Sequence, residues 1–230
     1  MLRPFLLLFA AVTAHAQPLA YDGSWQDTAA GQATVALPAG YDADDREWPL
    51  LIFLHGAGER GDDLELVGVH GPLKEVREGR DLPFVIVAPQ VPAGERWTVG
   101  RVAATLDAAL EAYRIDPSRV YLTGLSMGGF GTWEAIERMP ERFAAAIPIC
   151  GGGNPIGLPT ARTVPVWAFH GSADPVVPLA ASAVMVNALE AAGGDVAFTV
   201  YPGVGHDSWS ETYANPEVYE WLLRHHLEDE

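Results

Sequence analysis

Ser126 stands in Gly124-Leu125-Ser126-Met127-Gly128, a G-x-S-x-G pattern that closes the apolar run Arg119–Ser126 and opens the helical stretch "GFGTWEAIERM". A serine at a sharp strand-to-helix turn is held at strained backbone angles, and small neighbours let strand and helix approach closely. Its hydroxyl is then exposed beside a helix N-terminus, where free N–H groups and the dipole favour negative charge. The chemistry this predicts is nucleophilic attack by the Ser126 oxygen. The competing reading is a glycine-rich structural bend.

A serine hydroxyl needs a base, and the base needs an orienting acid. On a strand–turn–helix site of this kind the chain order is serine, acid, histidine. His206, His225 and His226 lie late enough to serve. His225 and His226 fall in the last helical pattern beside Arg224, where solvent-facing or capping roles are expected. His206 follows "FTVYPGVG", just past a strand end, and is the expected base. Between serine and histidine lie Glu134, Glu137, Glu141, Asp174, Glu190 and Asp195. Glu134, Glu137 and Glu190 fall on helices, and Glu141 and Asp195 in turns at element ends. Asp174 lies in "AFHGSADPVVP", directly after a strand and stiffened by Pro175, and is the expected acid. Its alternative role is to cap a loop before the next helix.

Acyl-transfer chemistry also needs donors for a tetrahedral oxyanion. The Met127 N–H follows the nucleophile directly. A second donor is expected in "LHGAGERGDD", at Ala57, with Gly58 next, unless that loop is an ordinary tight turn. Trp209, just after His206, and Trp97, in "APQVPAGERWTVG", are candidates to line a pocket, Trp209 first. His55 and His170 each precede a glycine at a strand end and read as packing or hydrogen-bonding residues, and His70 carries no signal. Cys150 is the one cysteine, so no intrachain disulfide forms, and at the end of "FAAAIPIC" it reads as a buried, inert thiol. No H-E-x-x-H, C-x-x-C or acidic calcium loop points to a metal, and no G-x-G-x-x-G or phosphate loop points to a nucleotide.

These residues must be positioned by the elements around them. Continuous β-rich runs at Pro49–Gly56, Pro83–Gln90, Arg119–Ser126, Phe143–Cys150, Val164–Gly171 and Val196–Gly203 read as strands covered on both faces. "QATVALPAGYD" is expected to add an edge strand or two before them. Helical patterns intervene: "RVAATLDAALEAYRI", the stretch after Ser126, "LAASAVMVNALEAAGG" ending at Gly193-Gly194, and "NPEVYEWLLRHHL" with Asn215 as N-cap and Pro216 at the first helical position. Strands alternating with helices predict an α/β fold, a mostly parallel sheet with helices on both faces. Ligands of such sheets bind beyond the carboxyl ends of the strands, where His55–Gly58, Ser126, Gly151, Asp174 and His206 fall.

The chain has 230 residues, 49% of them hydrophobic and 19% charged, enough for one substantial core and against a disordered chain. A formal net charge of −16 argues against nucleic acid, whose phosphates are bound by Lys and Arg. "MLRPFLLLFAAVTAHAQ" has a basic start, a short apolar run and Ala14-His15-Ala16, the pattern of a secretory signal peptide over residues 1–16. Export to the periplasm or the exterior is therefore expected, with one domain over residues 17–230. The apolar run is too short to span a bilayer.

With "LLIFLHGAGERGDD", "VAPQ", "IDPSRVYLTGLSMGGFGTWE", "PVWAFHGSADPVVP" and "YPGVGHDSW", the sequence resembles the α/β-hydrolase superfamily. More narrowly, it resembles the secreted and periplasmic esterases related to dienelactone hydrolases and to the catalytic domain of prolyl oligopeptidases, a group that includes phospholipase/carboxylesterase-like proteins. The resemblance runs from about Leu50 to Trp209. It implies a triad of Ser126, Asp174 and His206, with Ala57, Gly58 and Met127 at the oxyanion hole. No segment matches a propeller domain, and "CGGGNPIGLPTARTV" is too short for a large lid. The expected activity is cofactor-free hydrolysis of short-chain, sugar or phenolic esters, with a small molecule or oligosaccharide as substrate. A small serine peptidase acting on short peptides is the alternative, and a binding module with a silent triad is a third.

Overall fold

The computed structural model describes residues 16–20 and 32–227. The leader expected over residues 1–16 lies outside the described residues except for Ala16, which begins the first strand.

Among the described residues one sheet of eight strands organises the chain. They are β1 (Ala16–Ala20), β2 (Gln32–Ala36), β3 (Trp48–Leu54), β4 (Val85–Pro89), β5 (Ile115–Leu125), β6 (Ala145–Ile149), β7 (Val166–Gly171) and β8 (Val196–Tyr201). Their spatial order is β1-β2-β4-β3-β5-β6-β7-β8. The pairs β1–β2 and β2–β4 are antiparallel, and every pair from β4 to β8 is parallel. This is the mostly parallel α/β sheet expected, with "QATVA" as β2 on its antiparallel side.

The apolar runs are continuous because the sheet is covered on both faces. All seven residues of β3 are buried. Successive side chains alternate between faces: Leu50, Ile52 and Leu54 enter one core, Leu51 and Phe53 the other. The first core is closed by α2 (Val99–Ala112), α3 (Met127–Arg138) and α4 (Leu179–Ala191), through residues such as Leu106, Trp133 and Leu189. The second is closed by α1 (Gly71–Arg77), α5 (Trp209–Ala214) and α6 (Pro216–Leu222), through Leu73, Tyr213 and Tyr219.

Local signals set several boundaries. Thr98 caps α2 by accepting from the Arg101 N–H, and Asn215 caps α6 by accepting from the Glu217 N–H. Gly193, at φ +80°, follows the end of α4 as expected. Two helices went unforeseen: α1 and α5, of seven and six residues, are too short to display a helical period. The last helix is shorter than its pattern suggested. It ends at Leu222, so His225 and His226 lie beyond it. His225 packs its ring on Trp221, and its carbonyl accepts from the Tyr121 hydroxyl.

Because β3, β5, β7 and β8 are parallel, their carboxyl ends share one edge of the sheet. The loops after them carry Ala57, Ser126, Asp174 and His206. No helix among the described residues is long and apolar enough to cross a membrane.

Candidate active site

Ser126 sits between β5 and α3 with φ 51° and ψ −113°. A positive φ in a non-glycine residue costs on the order of 1–3 kcal/mol and persists only where the surroundings over-determine it. They do so here. The Ser126 N–H donates to the Ile149 carbonyl at 2.9 Å, and the Ser126 carbonyl accepts from the Phe130 N–H at 3.0 Å. The flanking glycines are required by contact rather than by dihedral angle. A Cβ on Gly128 would run into the Leu54 carbonyl, and one on Gly124 into the Gly128 carbonyl. The tight turn places the Ser126 hydroxyl at the start of a 12-residue helix, whose first N–H groups have no intrahelical partner.

The structure brings His206 and Asp174 to this serine. His206 Nε2 lies 2.9 Å from Ser126 Oγ, and His206 Nδ1 lies 2.7 Å from Asp174 Oδ2. A carboxylate only accepts, so Nδ1 carries the imidazole proton and Nε2 is left to accept from the serine hydroxyl. The Asp174 side chain is fully buried, while that of His206 is 19% exposed. Burial opposes ionisation of Asp174. Hydrogen bonds from His206 and from the Val177 and Val176 N–H groups outweigh it and hold the carboxyl below its ordinary range. The acid is therefore a carboxylate whose oxygens are spoken for on both sides.

A second imidazole braces the same carboxylate. His170, fully buried, has Nε2 2.9 Å from the Val177 carbonyl and 3.3 Å from Asp174 Oδ2. Its Nδ1 lies 2.7 Å from the Ser182 hydroxyl on α4. The expected hydrogen-bonding role of His170 is thus a specific one: it ties the acid loop to the neighbouring helix. His55 is also buried, and burial pushes its pKa down to about 4. Its Nδ1–H donates to the Gly56 carbonyl, its Nε2 accepts from the Val91 N–H, and its own carbonyl accepts from Trp97 Nε1. Cys150 lies under the serine turn, and burial pushes its thiol up to about 12. A Cys150 sulfur, an Asp174 oxygen and a His206 nitrogen fall within 4.8 Å of one another. The thiol is a poor ligand in that state, and the other two groups are bonded to each other.

A cavity of about 880 Å³ opens over Ser126. Ala57 and Met127, whose N–H groups are the expected oxyanion donors, line it together with Ser126. Gly58 does not line it: the chain turns away after Ala57 into a 3-10 turn over Ala57–Glu59. The two tryptophans exchange roles. Trp97 lines the cavity, whereas Trp209 sets its ring edge-on to His206 at 5.2 Å and against His70 at 5.4 Å. Trp209 opens α5, and its ring packs against His206 and is not among the residues that line the cavity. His70, which carried no sequence signal, completes that stack.

Other lining residues escaped the sequence reading. Phe130, Glu134, Glu137 and Arg138 form a stripe along α3, spaced as one helical face. Glu134 and Glu137 lie on a helix, as their spacing predicts, and line the cavity there. Arg60 and Arg96, from the loops after β3 and β4, line it as well. The stripe was readable from helical spacing once α3 was placed, but the arginines of the loops were not.

This geometry can be set beside known proteins. The model of the dienelactone hydrolase family matches residues 89–219. The chain belongs to the dienelactone hydrolase family. A solved thermostable esterase superposes with a TM-score of 0.79 at 35% identity, covering 93% of this chain and 63% of that one. Within curated proteins, the chain is similar to the bifunctional acetylxylan esterase/xylanase XynS20E of Neocallimastix patriciarum, 34% identical over 137 residues, 56% of this chain. It is also similar to a probable carboxylesterase of Oryza sativa subsp. japonica, 30% identical over 153 residues, 63% of this chain. The matched parts span 20% and 56% of those two relatives. This dienelactone hydrolase family member therefore shares its fold with a solved esterase.

Proposed function

We propose that the protein is a serine esterase that cleaves carboxylic esters through an acyl-serine intermediate. The observation that carries this reading is the unbroken chain from Ser126 Oγ through His206 to a buried Asp174 carboxylate, at 2.9 and 2.7 Å. His206 Nε2 takes the serine proton as Oγ bonds to the ester carbonyl carbon. The resulting oxyanion is met by the N–H groups of Met127 and Ala57. Asp174 stabilises the imidazolium without taking its proton. The imidazolium then protonates the leaving alcohol, and the C–O bond breaks to give the acyl-serine. Water repeats the sequence and releases the acid.

The family, the esterase names of the relatives and the open cavity support an ester substrate of modest size. The acetylxylan esterase named in Neocallimastix patriciarum makes acetylated sugars the first class to test, with phenolic esters of sugars next. Ser126→Ala decides the assignment. Its kcat on 4-nitrophenyl acetate should fall by about a million-fold, and a fluorophosphonate should label the native protein and not the variant. Undiminished hydrolysis by Ser126→Ala would remove Ser126 as nucleophile. Faster cleavage of anilides than of matching esters would make the enzyme a peptidase instead.

A further inference from the structure

His170 stands next to last in β7, four residues before the acid, and its side chain is wholly buried. A buried imidazole needs partners for both ring nitrogens, and here each has them. Nε2 faces the Val177 carbonyl and Asp174 Oδ2. A carbonyl and a carboxylate only accept, so Nε2 carries a proton whatever the rest of the ring does. Nδ1 faces the Ser182 hydroxyl, which in turn lies 2.7 Å from the Gly151 carbonyl. Ser182 is itself fully buried on α4.

His170 is thereby part of a closed circuit. Gly151 is pressed against the first turn of α3, so that a Cβ on it would meet the Gly129 carbonyl carbon and the Phe130 nitrogen. That turn starts from Ser126. From Gly151 the circuit runs through Ser182, His170 and Asp174 to His206, and back to Ser126 Oγ. Nucleophile and acid are therefore joined by two side-chain routes. One passes through His206, which is partly exposed and exchanges protons during turnover. The other passes through His170 and Ser182, both fully buried, and exchanges nothing. The two routes meet at one oxygen. Asp174 Oδ1 accepts from the Val176 and Val177 N–H groups, whereas Oδ2 faces both His206 Nδ1 and His170 Nε2. The backbone donors fix Oδ1 but let the carboxylate plane tilt about it. The His170 donor fixes the plane.

We propose that His170 is a positioning residue for ester hydrolysis: its Nε2–H holds the Asp174 carboxylate toward His206 throughout turnover, and Ser182 ties that hold to the nucleophile turn. His170 acts through Asp174 and touches no substrate. The role rests on the serine esterase reading of Ser126 and deepens it. An acid held independently of its base stays in place when the His206 imidazolium turns from the serine to the leaving alcohol. The base then returns to the same geometry for deacylation. Misplacement of a reacting group lowers the rate of the chemical step rather than the affinity for substrate, so the effect of losing this hold falls on kcat.

Two half-replacements in the full chain separate this role from simple anchoring. The amide nitrogen of His170→Gln reaches the place of Nε2, beside Asp174. That of His170→Asn reaches the place of Nδ1, beside Ser182. On 4-nitrophenyl acetate, His170→Asn should lower kcat about 10- to 100-fold, as expected for loss of a partner behind a reacting group, with little change in KM. His170→Gln should stay within about threefold of native kcat. Anchoring to α4 alone predicts the reverse order, because Asn keeps the bond to Ser182 and Gln does not. Proton NMR without substrate supplies a second readout. The His206 Nδ1–H bonded to Asp174 gives a far-downfield resonance, which should persist in His170→Gln and be lost or broadened in His170→Asn. If either variant does not fold, Ser182→Ala takes its place and should lower kcat several-fold at unchanged KM. Equal kcat in the two His170 variants, the reverse order, or a Ser182→Ala enzyme indistinguishable from native would overturn the role and leave the esterase standing. No hydrolysis by native protein would instead remove the esterase reading on which the role rests.

Discussion

The two rims of the cavity are built on opposite principles. At the serine rim Ser126 lines the cavity, and behind it Ser126, His206 and Asp174 are held by one another and by backbone groups. On the arginine rim, Arg96 has no partner in the described chain and Arg60 spends its bonds on carbonyls. Bond-making chemistry needs its geometry in place before the substrate arrives, because misplacement costs rate directly. Recognition of a polar group needs donors that folding has not consumed. One rim is therefore satisfied and strained, the other unsatisfied and relaxed.

Each rim can be broken in its own way. After loss of the nucleophile itself, the largest effect is expected from Asp174→Asn. The amide oxygen can still accept from Val176 and Val177, so the loop keeps its shape. Its NH₂ group, however, faces His206 and favours the wrong tautomer, and kcat should fall about 10⁴-fold. Steady-state kinetics with a neutral ester measures it. A fall of less than tenfold would mean that the satisfied rim does not owe its function to the carboxylate.

Next comes Gly128→Ala, which attacks the packing under the serine turn. The new methyl group meets the Leu54 backbone, which cannot swing aside as a side chain would. A loss of about 3 kcal/mol is expected, read as a lower melting temperature together with lower kcat. An unchanged melting temperature would show that the turn has slack.

The smallest effect belongs to the loop of the arginine rim. His55 holds that loop to the sheet by accepting from Val91 and receiving Trp97 at its carbonyl. In the unfolded chain its imidazole protonates near the ordinary 6.5, and in the folded chain near 4. Between those values the unfolded state binds more protons, so stability is full above 6.5 and declines as pH falls toward 4. The decline attributable to His55 should be about 2 kcal/mol. Urea unfolding of native protein and His55→Gln, each at pH 7.5 and pH 4.5, measures it. A decline of equal size in both proteins would assign it elsewhere.

The triad candidates were legible because each follows a strand that ends in recognisable punctuation: G-x-S-x-G for Ser126, "HGSADP" for Asp174 and "YPGVGH" for His206. Parallel strands then carry them to one edge. Trp97 and Trp209 were not separable in the same way, since both follow strand ends. Their roles depend on α5, too short to show a period, which turns Trp209 onto His206. The arginines were less legible still. Arg60, Arg96 and Arg138 come from three separate segments, and only the packing of those segments brings them to one cavity.

By itself the sequence determined the alternation of buried strands and helices, and with it the order and edge of the serine, acid and histidine. Those follow from local periodicity and from turn residues, which act within a few positions of the chain. Only the tertiary structure decided which of several similar residues face the cavity, that a second buried histidine braces Asp174, and which cations go unpaired. Those outcomes depend on neighbours far apart in the chain, whose competition for one another is resolved only when the sheet and its helices have packed.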